Sequence, residues 1–328
     1  MTSKALEVWA LDGIPEVQRG DDLAALIVAT GAELRDGDVV VVTSKIVSKS
    51  EGRLVEGSRE EHLAGETVRV VARRGKTQIV QTRHGFVLAA AGIDASNVPA
   101  GTVALLPLDS DVSACTIRAG LLELSGADVA VIVTDTMGRP WRDGVVDNAI
   151  GAAGIEVLDD LRGSTDSYGQ ILEVTVTALA DELAAAADLV KGKLEGRPVA
   201  VIRGYDVRRP KDDDHGARPL VRAAADDMFA SGTHDAVIGL VRDSAPVAAS
   251  SGGPVDVALV GRAVGALGAA SVAMTVADDG TSVSASGSAL EVGYALGRLM
   301  AALAAEGLRA TSPTETADGA HLEIRRAD

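Results

Sequence analysis

Residues 129–140 read VAVIVTDTMGRP: five apolar residues run into a hydroxyl, a carboxylate, a second hydroxyl, and then Gly138, Arg139 and Pro140. The run is too short for a buried helix, and its β-branched content suits a strand covered on both faces. Residues 38–42, DVVVV, repeat the pattern and lead into the polar stretch Thr43-Ser44-Lys45, which reads as a loop. Strands of this kind lie inside sheets flanked by helices, and the chain leaving their carboxyl ends is where such sheets bind ligands. Working outward, short strands are expected at Val68–Ala72, Thr77–Gln81, Val103–Leu106 and Val199–Ile202. Helices are expected at Asp21–Thr30, at Ser113–Leu124 with Ser113 as its cap, at Thr175–Leu194 and at Leu220–Met228. The fold class is α+β, a mixed α/β chain.

Composition shifts near Asp243, where DSAPVAASSGGPVD reads as a connector. The expected organisation is a main domain over 1–242, a linker over 243–254, and a small α/β extension of unknown role over 255–328. The extension is expected to hold a helix at Val255–Ala270, a hairpin turning at Asp278-Asp279-Gly280 between 271–276 and 282–286, and a helix from Ser288 to about Glu306.

Charge and composition exclude several classes. The net charge of -16 and the 2% aromatic content leave no basic, base-stacking surface, so nucleic acid is not an expected partner. Cys115 is the single cysteine, which removes intrachain disulfides and CxxC motifs and makes the cytoplasm the expected compartment. No apolar run approaches the ~18 residues of a membrane helix, so no membrane partner is expected. An anionic ligand would have to be met by local Lys/Arg clusters or bound cations.

Common motifs fail on inspection. Gly75-Lys76-Thr77 imitates a phosphate loop, but Val70 stands where its first glycine belongs, and the chain that follows is strand-like. Three other segments could carry chemistry. Gly92–Pro99 (GIDASNVP) offers Asp94 and Asn97 in a turn, and Thr134–Pro140 offers Asp135 and Thr136 with Arg139 and Arg142 close behind. Carboxylate plus hydroxyl suits Mg²⁺ or Mn²⁺ when phosphates supply the remaining ligands, although both aspartates also read as turn caps. Lys45 and Lys49 lie four residues apart, a spacing open either to phosphate neutralisation or to a solvated pair. His84 reads as structural, and Asp159, Asp160 and Asp166 as either an active-site loop or a solvated turn.

Together GIPEVQRGDDL (13–23), DGDVVVVTSKIVSKSEGRL (36–54), TRHGFVLAAAGIDASNVP (82–99), LLPLDSDVSACTIRAGL (105–121), VIVTDTMGRPWRDGVVDNAIGAAGI (131–155), AAAADLVKGKLEGRPVAVIRGY (184–205) and the segment around Asp226-Asp227-Met228-Phe229 resemble the coenzyme F420-0:γ-glutamyl ligase family (CofE and the ligase domain of actinobacterial FbiB proteins). The resemblance implies a CofE-like, two-domain intertwined homodimer. It also implies a GTP-dependent carbon–nitrogen ligase that adds L-glutamate, and further γ-linked glutamates, to coenzyme F420-0 through an acyl phosphate. The implied catalytic residues are Asp94, Asp135 and Arg139, and the implied metal ligands are Asp94, Asp135 and Thr136. Nucleotide contacts fall on Ile14, Pro15, Glu16, Val17, Ser44, Lys45, Lys49 and Asn97. Lys193 departs from the family pattern, standing where archaeal members carry a glutamine metal ligand; an ammonium cannot ligate a metal, and Lys193 reads as a phosphate contact instead. The implied cations are Mg²⁺ or Mn²⁺, two per site, with K⁺ a further candidate. The stretch after Asp243 is less than half the size of the flavin-binding second domain of FbiB and shows no related motif, so no flavin site is expected there. The alternatives are a GTP-dependent ligase for another carboxylate and a non-catalytic GTP-binding regulator.

Overall fold

The computed structural model describes residues 5–74, 76–210, 216–223, 227, 255–267, 272–306 and 308–326. The chain divides into two compact units, Met1–Ala230 and Ser231–Asp328. The expected linker over 243–254 lies outside the described residues, as do Asp212–His215.

The first unit begins with β1 (Glu7–Ala10), α1 (Leu23–Ala29), β2 (Val39–Thr43), α2 (Ser44–Ser50), β3 (Leu54–Glu56), α3 (Arg59–Glu66), β4 (Thr67–Arg74), β5 (Thr77–Thr82), β6 (Val87–Ala89) and β7 (Thr102–Ala104). It continues with α4 (Ser110–Ser125), β8 (Ala130–Arg139), β9 (Arg142–Ala153), the short β10 (Asp159–Asp160) and β11 (Val176–Thr177), α5 (Leu179–Lys191) and β12 (Val199–Arg203). The central sheet runs β1-β12-β2-β8-β9. Its one parallel pair joins β2 and β8, from Val39 opposite Ala130 to Thr43 opposite Thr134.

Alternation along β2 and β8 divides the core. Val40, Val42, Val131 and Val133 pack with Ile27, Ile117 and Leu121 of α1 and α4. Val39, Val41 and Ile132 pack on the other face with Ala180, Leu183 and Ala187 of α5. A strand buried on both sides cannot show a polar alternation, which is why both strands read as unbroken apolar runs. A smaller layer, the sheet β4-β5-β6 beside the β3–β7 ribbon, has its own core of Val80, Ala91, Ile93, Val103 and Leu105.

Several expectations are corrected. The stretch after β2 is helix α2, because Ile46 and Val47 bury with Ser44, Ser48 and Lys49. The second strand does not stop at Thr134: β8 runs on to Arg139 and turns into β9, placing Asp135 within a hairpin opposite Asn148. Helix α4 starts three residues earlier than expected, with Asp109 rather than Ser113 as its cap; the Asp109 side chain accepts from the Asp111 and Val112 amides. In place of a helix from Leu220, Arg218–Leu220 form a 3₁₀ turn, and Ala224–Asp226 and Met228 lie outside the described residues.

In the second unit, the described elements are α6 (Val257–Gly265), β13 (Ala273–Val276), β14 (Ser282–Ser286), α7 (Ala289–Ala305), β15 (Leu308–Ala310), β16 (Thr314–Thr316) and β17 (Gly319–Arg326). The antiparallel sheet runs β13-β14-β17-β15, with β16 also on β17. Its core, including Val260, Val283, Leu299, Leu303, Leu322 and Ile324, contains residues of this unit alone. Among the described residues, no helix of the protein is long and apolar enough to cross a membrane.

Candidate active site

A cavity of about 780 Å³ opens in the first unit, between the hairpin β8–β9, the start of α2, the end of α5 and the turn that follows β6. Every one of Ile14, Pro15, Glu16, Val17, Ser44, Lys45, Lys49, Asp94, Asn97, Asp135, Thr136 and Lys193 lines it. Arg139 does not. It lies at the far end of β8, where its Nη2 donates to the Asp143 carbonyl at 2.6 Å inside the hairpin turn. Arg142 is exposed on the same hairpin. His84 bonds the Leu108 carbonyl and stacks on Phe86, away from the cavity wall. Asp159 and Asp160 pair with Arg208 and Arg162, also away from it.

Asp94 owes its place to an unusual piece of backbone. Ala90, Ala91 and Gly92 follow one another in the left-handed region, at φ of 50°, 55° and 72°. For the alanines that conformation costs roughly 1–2 kcal/mol each, and burial of Ala91 in the core of the smaller layer holds it. The turn delivers Asp94 into a two-way bridge with Ala104, through bonds of 2.9 and 2.8 Å. Its carboxylate accepts from the Ser96 amide and hydroxyl at 2.8 and 2.9 Å. Lys45 Nζ lies 2.7 Å away and Arg59 3.6 Å. Burial works to raise the Asp94 pKa, but Lys45 and Ser96 outweigh it and hold the carboxyl below its usual value.

Asp135 is in the opposite condition. Its carboxylate accepts from Ser44 Oγ at 3.1 Å. Burial, with lesser help from the neighbouring Asp147 and Asp94 charges, pushes its pKa up to about 7 despite the Ser44 and Thr136 hydrogen bonds. A carboxylate so short of positive charge beside a second carboxylate fits a divalent cation. Among the described residues, no three His, Cys, Asp or Glu side chains converge into a metal cage. A cation held here would therefore complete its shell with hydroxyl, water and phosphate oxygens, which suits Mg²⁺ or Mn²⁺ better than zinc.

Sequence reasoning missed four residues of this site: Asp147, Asp188, Lys191 and Arg59, all in the cavity wall. Asp147, 2% exposed on β9, is the hub. It accepts from Thr134 Oγ1 at 3.0 Å, Thr136 Oγ1 at 2.6 Å, Lys191 Nζ at 2.9 Å and Lys193 Nζ at 3.2 Å. Burial favours its neutral form, yet the Lys191 charge and these bonds prevail and lower its pKa. The available signal was a lone acid in the apolar run VVDNAIGAA (145–153). Lys49, 5% exposed, donates to Glu16 and ties α2 to the Ile14–Val17 loop.

Residues 13–65 and 61–204 match the F420-0:Gamma-glutamyl ligase family. The chain belongs to this family. Among its relatives, the coenzyme F420:L-glutamate ligase of Methanothermobacter thermautotrophicus is 42% identical over 250 residues, 68% of this chain and 98% of that protein. The enzyme of the same name from Methanopyrus kandleri is 43% identical over 236 residues, 65% and 93% of the two chains, and that from Archaeoglobus fulgidus 41% over 223 residues, 62% and 89%. Every side chain of the cavity named above falls inside the stretch matching the F420-0:γ-glutamyl ligase family, and the second unit lies wholly outside it.

Proposed function

We propose that this family member joins L-glutamate to coenzyme F420-0, with GTP as phosphoryl donor and a divalent cation in the site. The observation that carries the proposal is Asp135: a half-buried carboxylate with its pKa pushed up to about 7, beside Asp94, in a cavity otherwise supplied with lysines. A carboxylate and an amine do not condense in water unless the carboxylate is activated, and activation by GTP brings two anions together. Asp94 and Asp135 would hold the cation, with Thr136 beside them. When bound, Mg²⁺ or Mn²⁺ would supply charge neutralisation to the reacting phosphate.

The chain's own groups do the rest. Lys45 can exchange Asp94 for a phosphate oxygen without leaving the cavity, since its side chain is only partly exposed and already reaches the wall. Lys49 keeps the Ile14–Val17 loop in place through Glu16. In the reaction proposed, the γ-phosphorus of GTP passes to a carboxylate oxygen of F420-0 as the bond to the β-γ bridging oxygen breaks, and GDP leaves with the electron pair. The neutral amine of glutamate then attacks the acyl carbon, phosphate departs, and the amine gives up a proton. The hairpin β8–β9 carries exposed Trp141 and Val145, which support the homodimer that the family resemblance implies; sedimentation velocity would then report a dimer.

The test is an omission series. GDP release should require both F420-0 and glutamate and should accompany a mass gain of one glutamyl unit on the deazaflavin. GTP hydrolysis that ignores both substrates, or glutamyl transfer without GTP, would overturn the proposal.

A further inference from the structure

The carboxylates around the cavity differ in how much cation each already has. Asp94 faces Lys45 and Arg59. Asp147 faces Lys191 at 2.9 Å and Lys193 at 3.2 Å, and Asp188 faces Lys193 at 2.9 Å. For Asp135 the contacts are neutral, the Ser44 hydroxyl and the Thr136 amide, and no ion pair to it occurs among the described residues. Of the four, only Asp135 lacks a cation from the chain itself.

Lys193 is held by three oxygens. Its Nζ lies 2.8 Å from Thr136 Oγ1, 2.9 Å from Asp188 Oδ1 and 3.2 Å from Asp147 Oδ1. These are one hydroxyl and two carboxylate oxygens from β8, α5 and β9, the hard-oxygen mixture that a divalent ion takes. An ammonium has three protons, and three acceptors meet them. The Thr136 hydroxyl donates to Asp147 at 2.6 Å, so it turns a lone pair toward Lys193. Lys191, 3% exposed, bonds Thr134 Oγ1 and the other oxygen of Asp147 and fixes that carboxylate from beneath.

Resting on the cation reading given above, we infer that Lys193 is a tethered cation filling a second oxygen cage, so that each site takes one divalent ion, at Asp135 and Asp94, rather than two. Asp147 is then a positioning residue: it holds the ammonium in the cavity wall, where the ammonium can also donate to a phosphate. The Thr136 hydroxyl serves the lysine and not the metal.

The experiment counts Mn²⁺. Wild-type protein, K193Q and K193A are held in excess over a non-hydrolysable GTP analogue, and bound Mn²⁺ per nucleotide is read from the loss of the free-ion electron paramagnetic resonance signal. One Mn²⁺ is expected in wild type. Two are expected in both variants, with a bound signal broadened by the neighbouring spin. Circular dichroism and retained nucleotide binding verify that each variant is folded, and K193Q keeps most of the side chain, one atom shorter and uncharged, should K193A lose structure. Two Mn²⁺ in wild type, or no gain in folded K193Q, would overturn the inference alone. A wild-type complex without Mn²⁺ would remove the cation reading together with it.

Discussion

Replacing Asp135 by Asn should make the metal-free protein more stable while ending its proposed activity. The folded carboxyl has its pKa pushed from 3.8 to about 7, chiefly by burial. The folded state therefore holds the Asp135 proton more tightly than the unfolded chain does. The sign follows: Asp135 costs nothing below the unfolded value, the cost grows as pH rises, and it is complete above about 7. A shift of about three units at about 1.4 kcal/mol each sets a ceiling of roughly 4 kcal/mol, which relaxation of the partly open site reduces to about 1–3 kcal/mol. Asparagine has the same shape, stays neutral and can still accept from Ser44. For a unit of this size each kcal/mol is worth ~2–4 °C, so the melting transition of the first unit should rise by about 3–10 °C at pH 8 in EDTA. Scanning calorimetry at pH 8 and pH 5 checks it. The gap should narrow at pH 5, and excess Mn²⁺ with GTP analogue should raise wild type more than D135N. A variant that melts no higher than wild type at pH 8, or equally below it at both pH values, would refute the electrostatic reasoning.

Other predictions concern the frame of the site. Lys191→Met should destabilise the first unit by about 3 kcal/mol, because it strips a buried carboxylate of its nearest cation; the double change K191M/D147N should recover part of the loss, as urea titrations would report. Gly92→Ala places a Cβ at a φ of +72° and within 2.8–2.9 Å of Leu106 side-chain carbons. It should cost ~1–3 kcal/mol and, by moving Asp94, raise the Mn²⁺ concentration needed for turnover more than tenfold, measurable as activity against Mn²⁺.

What could be read from the sequence divides along physical lines. The strands β2 and β8 and the helices α1, α5 and α7 declare themselves through apolar runs or helical periodicity. Strand β9 does not, because Ala149–Ala153 is, apart from Ile150, built of small residues that carry little strand signal; at Gly151 a Cβ would run into the Ser110 carbonyl, so the helix on that face demands a bare position. Asp147 was lost with that strand. Helix α2 was read as a loop because five of its seven residues are Ser or Lys, and only the packing reveals that most of them are buried. In the second unit β17 escaped notice even though Ala320, Leu322 and Ile324 alternate with His321, Glu323 and Arg325, a strand pattern in plain view. The residues named for the site gather around one cavity, with Arg139 as the exception. Pairings among the lysines depend on the approach of α5 to the hairpin, and no local pattern encodes that approach.

The central claim is that GTP activates the carboxylate of F420-0 as an acyl phosphate. It is tested most directly by preparing F420-0 with ¹⁸O in that carboxylate and measuring the phosphate released after a single round of glutamate addition. The account predicts one ¹⁸O in each phosphate and a matching loss from the amide product. Phosphate free of label, with glutamate joined all the same, would contradict it.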